Sequence, residues 1–203
     1  SEWEELPAVL PPDKNAIFLF GMFTILDNAG RDITYMLSPK LRTIFLYILL
    51  NSVGKRGVLS SDMNQIFWPD KSGSNVKNLK GVSMNRLMNL TSPEKKKKET
   101  PGAIRAEWLE ILLRGKFIPA SESDLFDYYK QKVETLIYSL LPGQLELAYG
   151  DARFSIVIRL CNILFIADPL SDLALAYTVC ALRKQNNQEE AIRRYAAFTK
   201  DYR

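Results

Sequence analysis

From about residue 103 onward, apolar residues recur at every third or fourth position and no stretch alternates with period two, so the second half of this chain reads as a succession of amphipathic helices. The spacing predicts helices over 103–113, 124–141, 151–167, 171–185 and 188–202, with Pro142-Gly143, Pro169 and Asn186-Asn187 marking breaks between them. Ile104, Trp108, Ile111 and Leu112 form the expected packing face of the first helix, and Leu125, Tyr129, Val133, Leu136 and Leu140 that of the second. A parallel α/β sheet is excluded, and with it an Asp-centred phosphoacceptor domain, because there is no strand and helix alternation to build one.

The first half is patterned differently. Aromatic and β-branched residues cluster at 17–20 and 22–26, the turn signal Asp27-Asn28-Ala29-Gly30 follows, and a further short run covers 32–37, which predicts a small antiparallel sheet. Ser38-Pro39 then supplies an N-cap and a first-turn proline for a helix over 39–51, with Leu41, Ile44, Phe45, Ile48 and Leu49 inward. Gly54 and Gly57 interrupt the chain. Ser60 is the expected cap of a short second helix with Met63, Ile66 and Phe67 inward, ended by Trp68-Pro69-Asp70. A polar loop over 71–74 leads to a third helix from Asn75 to about Leu90. Val76, Met84, Leu87 and Leu90 gather on one side of it and Asn78, Gly81, Asn85 and Asn89 on the other, with Lys77, Lys80, Val82, Ser83 and Arg86 on the flanks. Plain solvated helix faces favour Glu and Lys, whereas Asn and Arg offer the paired donors and acceptors that match base edges in the major groove. Residues 1–16, with Pro7, Pro11 and Pro12, have linker composition. Residues 91–102, with Pro93, the run Lys95-Lys96-Lys97-Lys98 and Pro101, read as a basic linker whose lysines suit phosphates.

Charge and composition narrow the chemistry. Of the 203 residues 47% are hydrophobic and 25% charged, a globular make-up that excludes disorder and collagen. The longest unbroken apolar run, Ile44 to Leu50, has seven residues against the roughly 20 a spanning helix needs, so no membrane contact is expected. The acidic start Ser1-Glu2-Trp3-Glu4-Glu5 is unlike a secretory signal, which points to the cytoplasm. Residues 31–100 carry 13 Lys or Arg against 5 Asp or Glu, a local +8, while the remainder carries −4. This division suits a polyanion-binding module joined to one that does not bind polyanions. The absence of histidine removes Ser-His-Asp and Cys-His nucleophile pairs and His-ligated zinc; no catalytic residue, metal site or cofactor is expected. Asp124, Asp127 and Glu134 on one helix are read as solvated carboxylates. Cys161 and Cys180, nineteen apart in apolar stretches, read as two buried structural thiols.

Taken in order, the sheet, the Ser38-Pro39-Lys40 helix, Leu59-Ser60-Ser61-Asp62, Phe67-Trp68-Pro69-Asp70 and the segment from Asn75-Val76-Lys77-Asn78 to Leu79-Lys80-Gly81-Val82-Ser83 resemble the OmpR-like winged-helix domain of SARP-type bacterial transcriptional activators. The tail, from Asp168-Pro169-Leu170-Ser171 through Glu190-Ala191 to Tyr195-Ala196-Ala197-Phe198, resembles the tetratricopeptide-like activator domain that follows it in that family. Together the two cover about residues 17–203. The resemblance implies a fold that is mainly α with a small N-terminal antiparallel sheet: a linker over 1–16, a winged helix-turn-helix domain over 17–100 and an all-α tetratricopeptide-like domain over 101–203. It implies a sequence-specific DNA-binding transcriptional regulator without enzymatic activity, the cytoplasmic output region of a larger signalling protein that an upstream segment could tether to the inner membrane. Carried over by position, Lys77, Asn78, Lys80, Ser83, Asn85 and Arg86 face DNA, with Lys40 and Lys71 as further DNA-binding candidates, and Trp68 and Phe67 are core residues. Double-stranded DNA is the expected partner, with RNA polymerase and a second copy of the chain as further candidates. The sequence departs from the family at 91–102, where no β-hairpin wing is written, so the wing is truncated or missing. The rival reading is a tetratricopeptide-like protein-interaction module without DNA binding.

Overall fold

The computed structural model describes residues 15–52, 57–69, 73–90, 106–119 and 124–201. Most of the expected linker over 1–16, Lys71, the tetralysine run and the whole wing region over 91–102 lie outside the described residues. The fold is mainly helical with a small antiparallel sheet, as the sequence predicts.

Strand β1 (Ala16–Phe18) pairs with β2 (Thr24–Leu26) in the register Ala16 to Leu26, Ile17 to Ile25 and Phe18 to Thr24. The turn after β2 is closed by Asp27, whose carboxylate accepts the N–H groups of Ala29 and Arg31, both at 2.9 Å. Those bonds, led by the one from Arg31, hold its pKa below the ordinary carboxylate value. The run over 32–37 does not continue the sheet. Asp32 makes a single bridge to Leu26, and Thr34–Met36 then forms a 3-10 turn. Side chains divert the backbone here: the Asp32 carboxylate accepts the Thr34 N–H at 2.8 Å, and the Thr34 hydroxyl accepts the Ile25 N–H at 2.8 Å.

Helix α1 (Pro39–Ser52) buries Leu41, Ile44, Phe45 and Leu46. Helix α2 (Ser60–Phe67) starts one residue earlier than a Ser60 cap requires: Leu59 holds the cap position, and the Ser60 hydroxyl is instead taken by the Lys80 ammonium. Helix α3 (Gly73–Leu90) packs on α1 through Val76 and Leu87, which join Ile25, Leu37, Phe45, Met63 and Trp68 in one core, with Phe67 packed at its edge.

Helices α4 (Ala106–Leu113), α5 (Asp127–Gly150), α6 (Phe154–Ala167), α7 (Asp172–Lys184) and α8 (Gln188–Asp201) form the second half. The apolar α6 is central, touching α4, α5 and α7, while α8 packs on α7. Ser171 caps α7 by accepting the Ala174 N–H, and the turn into α8 places Asn186 at φ 60°, a left-handed position asparagine tolerates.

Four readings of this half are corrected. Helix α4 buries Leu109 while Trp108 is 56% exposed, so its packing face is rotated by one residue. Helix α5 continues through Pro142 instead of breaking there. Proline costs a helix interior about 3 kcal/mol, but Leu141, Leu145 and Ala148 are buried on both sides of it and the packing on α6 offsets the loss. The α5 stripe of Leu136 and Leu140 is not the packing face: Leu141 and Leu145 pack, because a second apolar line runs along the other side of the same helix. Lastly, the chain after α4 does not stay helical. Lys116, Phe117 and Ile118 return to the segment between β1 and β2, with Gly21 N–H donating to the Lys116 carbonyl at 2.9 Å and Ile118 N–H to the Leu19 carbonyl at 2.8 Å. Three residues are too short a run to register as a strand against the helical periodicity around them.

The returning segment carries a small bridging core, in which Leu46, Ile118 and Phe126 are buried together with Leu19, Phe23, Leu50 and Phe117 packed around them. The Tyr129 hydroxyl adds a 2.7 Å bond to Asn51. Among the described residues, no helix is long and apolar enough to cross a membrane.

Gly21 is the tight point of this junction. Its φ is +71°, and a Cβ there would run into the Arg114 carbonyl. Gly21→Ala is expected to lower unfolding free energy by about 2 kcal/mol or more, measured by urea denaturation, whereas Gly30→Ala, with open space around it, should cost only its backbone strain of about 1 kcal/mol.

Candidate nucleic-acid interface

Helix α3 contains no acidic residue. Its anchors Val76 and Leu87 fix its rotation about its own axis, and Lys77, Asn78 and Asn85 consequently stand in solvent. At about 100° per residue, Asn75, Asn78, Val82 and Asn85 share the outward side, with Gly81 beside them. No atom lies within 4 Å of where a Gly81 Cβ would stand, so packing within the described residues does not demand a glycine there. Among the described residues, α3 packs chiefly on α1, and Asn75, Asn78, Val82 and Asn85 stay exposed.

Of the eight candidate residues, three are thus presented together. Lys80 and Ser83 fall toward the packed side instead of flanking the amides. The Lys80 ammonium bonds the Ser60 hydroxyl at the start of α2, and the Ser83 hydroxyl donates to its own helix at the Leu79 carbonyl, 2.9 Å away. Lys40 is elsewhere: its ammonium donates to the Phe67 carbonyl at 2.9 Å and lies 5.2 Å over the Trp68 ring, closing the C-terminal end of α2 where a cation is favoured. Trp68 is buried in the N-terminal core. The side chain of Arg86, Lys71 as a whole and the side chain of Asn89 lie outside the described residues.

Sequence reasoning missed part of this surface. Val82 is 52% exposed and stands among the amides, Leu79 is exposed beside it, and Asn75 belongs to the same side. A wheel anchored on the two buried residues Val76 and Leu87, instead of on the whole apolar set, finds all three. An exposed valine or leucine between asparagines offers the apolar contact that a thymine methyl group accepts.

The other chemistry-bearing groups do not converge. Asp127 pairs with Lys130 at 3.4 Å, one turn along the same helix, and Asp124 precedes it in a 3-10 turn. Among the described residues no three His, Cys, Asp or Glu gather into a metal-binding set. A cavity of about 250 Å³ lies beside α1, where Arg42, Asp32 and Thr34 interrupt walls made by Leu19, Phe23, Leu46 and Ile118. The two cysteines are free and unlike each other: Cys161 is buried, but Cys180 is exposed, which corrects the expectation of two buried thiols. On α7 the inward line is Ala174, Thr178, Ala181 and Leu182, and Cys180 falls outside it.

No family model, curated protein or solved structure matches this chain.

Burial pushes the Cys161 thiol up to about 11, and the neighbouring Thr178 side chain lowers it by a smaller amount. At pH 8 one thiol per chain, Cys180, is expected to react with a disulfide reagent in the native state. Cys161 should follow only on unfolding, and Cys180→Ser should abolish the fast phase.

Proposed function

We propose that this chain is a sequence-specific DNA-binding regulator of transcription, without catalytic activity, that inserts α3 into the major groove. The observation that carries the reading is the outward side of α3: asparagines and one valine in line, Lys77 beside them, no carboxylate on the helix, and an unfilled space at Gly81. A glycine inside a helix costs about 1 kcal/mol relative to alanine, and one with no neighbour in its own fold is explained by a surface that must approach from outside. The sheet, α1, α2 and α3 then correspond to an OmpR-like winged-helix domain. The antiparallel pair α7 and α8, joined by Asn186-Asn187 and backed by α6, corresponds to a tetratricopeptide-like unit. RNA polymerase is the proposed contact of this second half, and the cytoplasm the proposed compartment.

Lys77 would act on phosphates and Asn78 and Asn85 on base edges. Lys80 and Lys40, committed to Ser60 and to the end of α2, support the helices that present α3. A second reading is favoured by the exposed Leu173, Ile192 and Tyr195 on the last helix pair, which suit a peptide or protein partner. Under that reading alone, random duplex DNA at low salt would not bind.

The test is a fluorescence-anisotropy titration of duplex DNA across a salt series. Nonspecific binding with a dissociation constant of about 10⁻⁴ to 10⁻⁶ M is expected, weakening steeply with salt. Lys77→Ala should weaken all sequences alike and reduce the salt slope by about 1, while Asn85→Ala should flatten discrimination between selected and random sequences by about 1–3 kcal/mol. Salt-independent binding, or indifference to both substitutions, would refute the assignment.

A further inference from the structure

Helix α5 is apolar on two sides, and among the described residues only one of them is packed. Leu141, Leu145 and Ala148 are buried in the core shared with α6. On the other side Leu136 is 56% exposed, Leu140 47% and Leu147 64%, and these three lie within about 40° of one another around the helix. With Tyr129, Val133 and Gly143 they fall at alternating intervals of four, three, four, three and four residues, the spacing of a coiled-coil seam. Tyr129 and Val133 are half-buried, and nothing lies within 4 Å of a Cβ at Gly143. Pro142 stands on the side of the helix away from this line.

The charges beside the seam identify its occupant. Lys132 and Glu146 are exposed, and neither has an ion-pair partner in its own chain among the described residues. They occupy the same heptad position on the seam's open flank, two heptads apart. When two such helices lie antiparallel, with Leu140 in the same layer as the partner's Leu136, the layers that follow place Val133 against the partner's Gly143 and Leu147 against the partner's Tyr129. In that one register, equivalent flank positions meet across the interface, and Lys132 falls opposite the partner's Glu146. The two-fold axis repeats the pair, so the surface is complementary to itself in shape and charge. The larger residue of each outer layer meets the smaller or half-buried one.

We propose that two copies of this chain associate through α5, antiparallel about a two-fold axis, with the seam from Tyr129 to Leu147 as the contact and the Lys132 to Glu146 pairs setting its register. The contact is about 27 Å long and one helix wide, which places it at the small, weakly associating end of protein interfaces. This goes beyond the DNA-binding reading and does not rest on it.

Sedimentation velocity of the full chain between about 1 and 200 µM reads the association directly. A concentration-dependent monomer to dimer shift is expected. Leu140→Lys should abolish it while leaving circular dichroism and melting temperature unchanged, since the residue is exposed in the monomer. Lys132→Glu and Glu146→Lys should each weaken the dimer about tenfold, because each sets two pairs of like charges face to face, and the double variant should recover the affinity to within about threefold. A chain that stays monomeric throughout overturns the proposal and leaves that side of α5 to a helix of a different protein. A dimer indifferent to Leu140→Lys, or charge reversals that the double variant does not rescue, overturns it equally.

Discussion

The two backbone hydrogen bonds between residues 19–21 and 116–118 tie the N-terminal half to the chain after α4, together with the core and the Tyr129 bond beside them. They bring Ile118 and, shortly after it, Phe126 against Leu46 of α1, and α1 is the element on which α3 packs. The orientation of the candidate DNA-facing helix is therefore set in two steps. Val76 and Leu87 fix its rotation on α1, and the bridging core fixes α1 against the helical half. Gly21 and Gly115 make this possible because their backbones approach too closely for a side chain on either.

The same logic explains which lysines are available. In the basic half of the chain a positive net charge is a property of the composition, but what it does depends on where each ammonium is held. Lys40 and Lys80 mark opposite ends of α2 and bind a backbone carbonyl and a hydroxyl there, so both tie helix to helix. Lys77 is left outward, next to Asn78 and Asn85, which are likewise exposed. On the proposed DNA-binding reading, one outward cation with uncharged donors and acceptors beside it suits base edges more than simple polyanion attraction.

Legibility in the sequence followed the range of the interactions involved. Helices α1, α2, α3, α7 and α8 were readable because their apolar spacing, the Ser38-Pro39 start, the Pro169 break and the Asn186-Asn187 turn are local signals. The outward position of Asn78 and Asn85 followed from the same periodicity. The failures involve long-range competition. Pro142 reads as a break unless the burial of Leu141 and Leu145 on α6 is known, and Lys116-Phe117-Ile118 is held by hydrogen bonds to residues 19–21, almost a hundred positions earlier. On α5 periodicity found a genuine apolar stripe but could not rank it against the second one, since both repeat at helical spacing. Lys80 and Ser83 were misplaced by counting turns without knowing which two residues anchor the helix.

The late arrival of residues 116–118 has a consequence for how the protein is made. During synthesis the first ninety residues emerge with their hydrophobic cluster nearly complete, yet among the described residues the cover over Leu46 of α1, begun by Leu19 and Phe23, is not finished until Phe117, Ile118 and Phe126 have left the ribosome. The N-terminal half must wait, partly finished, for the first portion of its successor, so the two halves mature together and the order of translation is written into their junction.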